Sequence, residues 1–108
     1  MTKKVLGQSN PSAVTATTLY TVPSAKEAVV SSISICNLAS SSATYRIAIR
    51  PGGASLANQH YLAYDVTVGA ADTTIITVGI TLATTDVITI YASTANIAFS
   101  AFGDEASV

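Results

Sequence analysis

Few residues of this chain could perform chemistry, and the strongest candidate among them is a histidine. A serine hydrolase needs a histidine base and an acid that orients it. His60 is the one histidine, and Asp65 follows five positions later. In a regular strand that spacing places the two side chains on opposite faces. The chain also lacks the Gly-x-Ser-x-Gly turn that exposes a nucleophilic serine, so these residues predict no hydrolase.

The remaining candidates give no better site. Cys36 lies between Ile35 and Asn37 in a strand-like run, where a small, partly buried residue is the usual outcome. A zinc site needs several Cys or His ligands, and the acidic residues lack the spacing of a calcium loop. Gly52 and Gly53 precede neither a helix nor a Gly-Lys-Ser/Thr sequence, which argues against a phosphate-binding loop. We therefore predict a protein that is not an enzyme, with no catalytic residues, cofactor or metal site.

Composition indicates a folded domain with a nearly neutral surface. The 108 residues are 49% hydrophobic and 10% charged, with a formal net charge of -1. Such a chain has no basic field for nucleic acid, and no apolar run reaches the ~20 residues of a membrane helix. A single cysteine cannot close a disulfide within the chain, which fits a reducing compartment. Small polar residues must cover surface that charged residues usually cover, and such a surface tolerates contact with other proteins.

The elements that position these residues are short β-strands. Apolar and polar residues alternate along most of the chain, with turn residues between the runs at spacings near ~8 to 12 residues. The pattern predicts an all-β domain, a single antiparallel β-sandwich of jelly-roll-like type with about seven to eight strands. The predicted strands are 18–22, 28–37, 43–50, 60–68, 73–78, 87–92 and 96–102, with a short strand or bend at 80–82.

The most regular stretch, 29–50, predicts a central hairpin, and 87–102 predicts another at the end of the domain. Alternation predicts that one set of apolar side chains in the central hairpin points inward: Val29, Ile33, Ile35, Tyr45, Ile47 and Ile49. The outward face of its second strand then carries Arg46 and Arg50. The loop 51–59 that follows is the longest polar connection inside the domain. Arg46, Arg50 and a surface tyrosine beyond the loop, Tyr61, are therefore candidate interface residues.

The strand at 60–68 shows the same period of two. Leu62, Tyr64, Val66 and Val68 share one face, and Tyr64 is expected to pack in the core. Tyr61 and Asp65 lie on the other face.

Both ends of the chain are predicted to lie outside the sandwich. Residues 1–17 predict an extended amino-terminal arm with Val5 and Leu6 as candidate interface anchors, a frayed terminus being the alternative. Residues 18–103 are predicted to form the sandwich, and 104–108 a loose acidic tail. Lys26 is the one lysine beyond the amino terminus, so few groups guard the edges of the sheets. We expect the arm or another subunit to cover an edge.

Six segments resemble, in order, small β-sandwich virion proteins of tailed bacteriophages. They are LYTVP at 19–23, SSISICN at 31–37, YRIAIRPGG at 45–53, HYLAYD at 60–65, TIYAST at 89–94 and FSAFG at 99–103. The resemblance implies a non-enzymatic capsid decoration or cement protein that reinforces the head by bridging capsomers. It implies a homo-oligomer that binds the major capsid protein, located in the virion after synthesis in the host cytoplasm.

Two alternatives stay open. One is a tail or baseplate component. The other is a carbohydrate- or receptor-binding module whose contact surface is the loop 51–59 with Tyr61. Nucleic acid, a membrane and a small-molecule ligand are not among the expected partners.

Overall fold

Eight β-strands follow one another along residues 2–108, the part of the chain that the computed structural model describes, apart from the side chain of Val78. They are β1 (Thr2–Ser9), β2 (Thr17–Thr21), β3 (Lys26–Asn37), β4 (Ala43–Arg50), β5 (Tyr61–Val68), β6 (Thr73–Leu82), β7 (Val87–Ala92) and β8 (Ile97–Ser107). Two single-turn 3-10 helices, Pro51–Gly53 and Asn58–His60, lie between β4 and β5.

The strand order is that of a jelly roll. One four-stranded sheet has the order β1-β8-β3-β6 and the other β2-β7-β4-β5, with antiparallel pairing throughout. Each connection therefore crosses from one sheet to the other, except the one between β4 and β5. Eight strands arranged in two sheets in this way define the jelly-roll form of the sandwich. The predicted all-β antiparallel sandwich is confirmed.

β3 and β4 do not form the central hairpin that the sequence predicted. β3 pairs with β6 and β8, whereas β4 pairs with β5 and β7, so the two strands lie in different sheets. Their apolar side chains instead meet across the core, where Ile33, Ile35, Tyr45 and Ile47 are at most 2% exposed. β7 and β8 were also predicted to form a hairpin and likewise lie in opposite sheets. Alternation shows which face of a strand is buried but not which strand is its hydrogen-bonded neighbour.

Because of a bulge in β3, the side chains that point inward at Val29 and Val30 differ from those predicted. Between Val30 and Ser32 the pairing with β8 shifts, because Ser31 has no residue opposite it. An extra residue reverses the inward and outward positions on one side of a bulge. Val30 is therefore fully buried and Val29 only half-buried, the opposite of the prediction.

Both ends of the chain belong to the sandwich, so the predicted arm and loose tail are wrong. β1 pairs with β8 from Thr2 to Ser9, and β8 continues through Asp104 and Glu105 to Ser107. The sandwich therefore extends beyond the predicted bounds of 18–103. A polar terminal sequence suggested low order, but pairing at a sheet edge supplies backbone hydrogen bonds that hydropathy does not reveal.

The two sheets approach each other closely on the side where β1 and β2 form the edges. A bulge at Leu6 turns that side chain into the core, where it is 8% exposed. The backbones also meet, since a Cβ added to Gly7 would lie 2.2 Å from the carbonyl oxygen of Leu19. The opposite edges of the sandwich are β5 and β6.

Candidate functional site

β5 is irregular at two points, and these irregularities decide where its side chains lie. Its pairing with β4 shifts on both sides of Ile47. Asp65 has a φ of 51°, in the left-handed region that residues other than glycine seldom adopt. Leu62 and Tyr64 are consequently 57% and 56% exposed, while Ala63 packs against the core. The prediction that Tyr64 packs in the core is wrong because bulges interrupt the alternation.

Arg46 is fixed on the outer face of this sheet by an ion pair and two aromatic rings. Its Nε donates to Oδ1 of Asp65 at 2.6 Å, and its Nη2 donates to Oδ2 at 3.3 Å. The guanidinium carbon lies 4.1 Å from the ring centroids of both Tyr64 and Tyr91, within the range of cation–π attraction. The hydrogen bonds to Asp65 raise the pKa of Arg46 further above its ordinary value. The group is therefore a permanent cation whose charge is compensated by its partner.

Tyr61 extends this row of planar groups. The rings of Tyr61 and Tyr64 meet edge to face, with centroids 4.9 Å apart and planes at 86°. Asn58 joins the two tyrosines in lining a shallow depression of about 340 Å³. We call the six residues that form this surface the tyrosine patch: Arg46, Asn58, Tyr61, Tyr64, Asp65 and Tyr91.

Arg50 is held by partners different from those of Arg46. Its Nε donates to the hydroxyl of Thr89 at 2.9 Å, and its Nη1 donates to the carbonyl of Ala54 at 3.0 Å. Arg50 thus fastens the loop after β4 to the neighbouring strand β7. The same loop is held at Gly52, whose backbone N–H donates to Oδ1 of Asp86 at 2.8 Å.

A second surface feature is an apolar cleft between the edges of β5 and β6. Its volume is about 310 Å³, and its lining residues are Ile33, Ile47, Leu62, Ala63, Ile76 and Ile80. Ile33 and Ile47 are core residues with 1% exposure each, so the cleft opens directly onto the core. Among the described residues that line it, none is charged. On the same two strands Val66 and Ile75 are 40% and 65% exposed.

The sequence candidates for chemistry lie apart from one another. The Nδ1 of His60 accepts a hydrogen bond from the backbone N–H of Ala57, and Asp65 binds Arg46 rather than His60. Cys36 is a half-buried residue of β3. Within residues 2–108, no three His, Cys, Asp or Glu residues lie close enough together to hold a metal ion.

The described residues include no helix with the length and hydrophobicity that a membrane crossing requires.

The predicted interface residues have different surroundings. Val5 is 48% exposed, whereas Leu6 is buried in the core of its own chain, which corrects its assignment as an anchor for a neighbour. Tyr61 and Arg46 come together in the tyrosine patch. Arg50 is engaged with the loop.

Sequence reasoning missed Tyr64, Asp65 and Tyr91 as members of the patch. Tyr91 lies directly opposite Arg46 in the pairing of β4 with β7. Asp65 is 19 positions from Arg46, on the strand that follows β4. Because β4 and β5 are consecutive antiparallel strands, their pairing would have suggested the contact between Arg46 and Asp65. No local signal would have suggested the contact between Arg46 and Tyr91, because β4 and β7 are distant in sequence.

In comparisons with protein-family models, with curated proteins and with solved structures, no match to this chain was found.

Proposed function

We propose that this chain is a non-enzymatic structural subunit of a tailed-bacteriophage virion, of the capsid decoration or cement type. The observation that carries the proposal is the apolar cleft, where residues of both sheets lie under an uncovered edge. The resemblance of six segments to small virion proteins is the reason for proposing that the particle is a tailed-bacteriophage virion.

The edge strands β5 and β6 have little to discourage contact with another protein. Proteins commonly protect such edges with lysine, proline, charges or bulges. Neither strand contains Lys, Arg or Pro, and Asp65, their one charged residue, is paired with Arg46. Bulges in β5 are the main protection. The exposed apolar residues here, led by Leu62 and Ile75, are of the type that marks interaction surfaces when they lie together.

Burial of the cleft would give the stabilisation that a cement protein requires. Covering apolar surface stabilises a contact by about 25 cal/mol for each Å² removed from water. A contact of biological size covers more than about 1,000 Å², so it would extend from the cleft over the flanking strand faces. The expected occupants are the major capsid protein and further copies of this chain. A jelly roll is compatible with this role, since viral capsid domains use that form of sandwich.

A tail or baseplate component is the second candidate. The same uncovered edge supports it, because the cleft identifies a protein contact and not its place in the particle. The location in the virion, after synthesis in the host cytoplasm, is part of the proposal in both cases.

The test is binding of purified protein to phage heads and to tails that lack it, measured by cosedimentation. We expect the protein to sediment with heads and Leu62→Lys to weaken binding at least tenfold, because the variant places a charge in the cleft. Leu38→Lys is the matched control, since Leu38 is 65% exposed in the turn after β3, and it should bind normally. Circular dichroism checks that both variants fold.

Sedimentation with tails alone would support the second candidate over the first. Binding to neither fraction would overturn the structural proposal. Undiminished binding by Leu62→Lys would show that the cleft is not the contact.

A further inference from the structure

We propose that the tyrosine patch is a binding site for a neutral carbohydrate. The inference does not depend on the proposed function. The patch lies on the outer face of β4, β5 and β7, whereas the apolar cleft lies between the edges of the two sheets. One surface can therefore be tested without disturbing the other.

The charge of the patch favours an uncharged ligand. Arg46 and Asp65 form a two-bond ion pair, so their charges cancel locally. Two guanidinium N–H groups are used in that pair, and within residues 2–108 the others have no protein acceptor at hydrogen-bonding distance. A hydroxyl group can accept from these donors without the cost of removing a full charge from water. A phosphate or carboxylate ligand would instead meet the carboxylate of Asp65.

The aromatic rings provide a surface suited to one face of a sugar ring. Tyr64 is 56% exposed although the Arg46 guanidinium lies over its ring. The face of an aromatic ring is negative and its edge positive. The ring face therefore attracts the weakly positive C–H groups that line one face of a pyranose. Tyr61, held edge to face against Tyr64, extends this surface sideways.

The rings are already held in place before any ligand binds. Tyr64 contacts both the Arg46 guanidinium, 4.1 Å from its ring centroid, and the ring of Tyr61, whose centroid is 4.9 Å away. Arg46 is in turn held by Asp65 and Tyr91. A site built in this way loses little side-chain entropy on binding, which increases the affinity available from a small contact.

Polar groups at the rim complete the match. Asn58 lines the same depression and offers both a donor and an acceptor. Sugar hydroxyls also donate and accept, so one amide can bind two of them. The depression, at about 340 Å³, is near the lower end of small-molecule sites, which run from about 300 to 1,000 Å³. This size fits one or two sugar units. A proline-rich peptide would require a longer groove.

The test begins with an array of neutral and anionic glycans, followed by saturation-transfer NMR with each neutral glycan that binds. The chain has no tryptophan, and three of its five tyrosines lie in the patch, so tyrosine fluorescence carries a contribution from the patch without interference from tryptophan. We expect a neutral glycan to bind and to perturb this fluorescence. Tyr64→Ala should weaken binding at least tenfold. Arg46→Lys should also weaken it, since Lys cannot form the two-bond contact with Asp65.

Leu62→Ala is the matched control, because Leu62 lies two residues from Tyr64 in the adjacent cleft. It should leave glycan affinity unchanged while Tyr64→Ala lowers it. The proposal is overturned if no neutral glycan binds at millimolar concentration, or if only anionic glycans or a proline-rich peptide bind. It is equally overturned if folded Tyr64→Ala binds as tightly as the unaltered protein.

Discussion

The hydroxyl of Tyr20 donates a hydrogen bond to the carboxylate of Glu105, which lies 85 residues further along the chain. Tyr20 belongs to β2 and Glu105 to β8, so the bond joins the two sheets. The Nζ of Lys4, on β1, lies 3.1 Å from the other carboxylate oxygen. Burial raises the pKa of Tyr20, and the hydrogen bond with Glu105 raises it further. The hydrogen bonds from Tyr20 and Lys4 lower the pKa of Glu105.

Replacing Glu105 with Gln should lower the free energy of unfolding at neutral pH. It should also make that free energy fall less as the pH is lowered. Because the pKa of Glu105 is lower in the folded protein than in the unfolded chain, its carboxylate stabilises the fold above the unfolded value of about 4.3. That contribution is lost as the pH falls through the folded-state value. Urea unfolding at several pH values from about 7 down to 3 measures the effect.

The exposed Glu27 provides the control for this experiment. Glu27→Gln should change the free energy of unfolding at pH 7 much less than Glu105→Gln does, because the Glu27 side chain is exposed and has no hydrogen-bond partner like Tyr20 among residues 2–108. Identical acid dependence for Glu105→Gln and the unaltered protein would contradict the assignment.

Asn37 should be essential for stability because it joins two turns. Its Nδ2 donates to the carbonyls of Ser41 at 2.9 Å and Gly69 at 3.1 Å, and its Oδ1 accepts from the backbone N–H of Ala39 at 3.0 Å. Asn37→Leu leaves these partly buried backbone groups without their side-chain partner and should cost about 3 kcal/mol. Denaturant unfolding provides the measurement. Asn96→Leu, at an exposed position, should change stability by less than about 0.5 kcal/mol; equal effects would refute the role.

Leu6 and Val5 are adjacent in β1, but truncation to Ala should destabilise the protein strongly at Leu6 and only slightly at Val5. Leu6 is 8% exposed in the core, so Leu6→Ala should destabilise the protein by about 2 to 4 kcal/mol. Val5 is 48% exposed, so Val5→Ala should have a small effect on the isolated chain. Thermal unfolding compares the two. A Leu6→Ala variant as stable as Val5→Ala would indicate that β1 contributes little to the core.

Gly103 should not accept a side chain. A Cβ at this position would lie 2.0 Å from the carbonyl oxygen of Val29, a backbone atom that cannot move without shifting β3. Gly103→Ala should therefore destabilise the protein by about 3 kcal/mol, at the upper end of typical overpacking costs. Gly79→Ala is the matched change, since a Cβ there meets nothing within 4 Å. The free energy of unfolding of the two variants should differ clearly; similar values would disprove the close approach of β3 and β8.

The tyrosine patch shows what local sequence patterns can predict and what they cannot. Alternation correctly indicated that Arg46 points outward from β4, and the position of Tyr61 after a polar loop suggested a surface residue. Alternation also placed Tyr64 inside, and that was wrong. The left-handed backbone at Asp65 and the shifts in pairing beside it reverse the expected face. A bulge of this kind leaves the hydropathy pattern unchanged, so an alternation with a period of two cannot reveal it.

The sequence by itself determined the all-β class, the antiparallel sandwich and most of the strands, because a period of two is a local property that each segment carries independently. Only the tertiary structure decided which sheet each strand joins. It placed β3 and β4 in opposite sheets, drew both chain ends into the sandwich and brought Tyr91 beside Arg46. These choices depend on packing between residues distant in sequence. Both candidate surfaces, the tyrosine patch and the apolar cleft, arise from them.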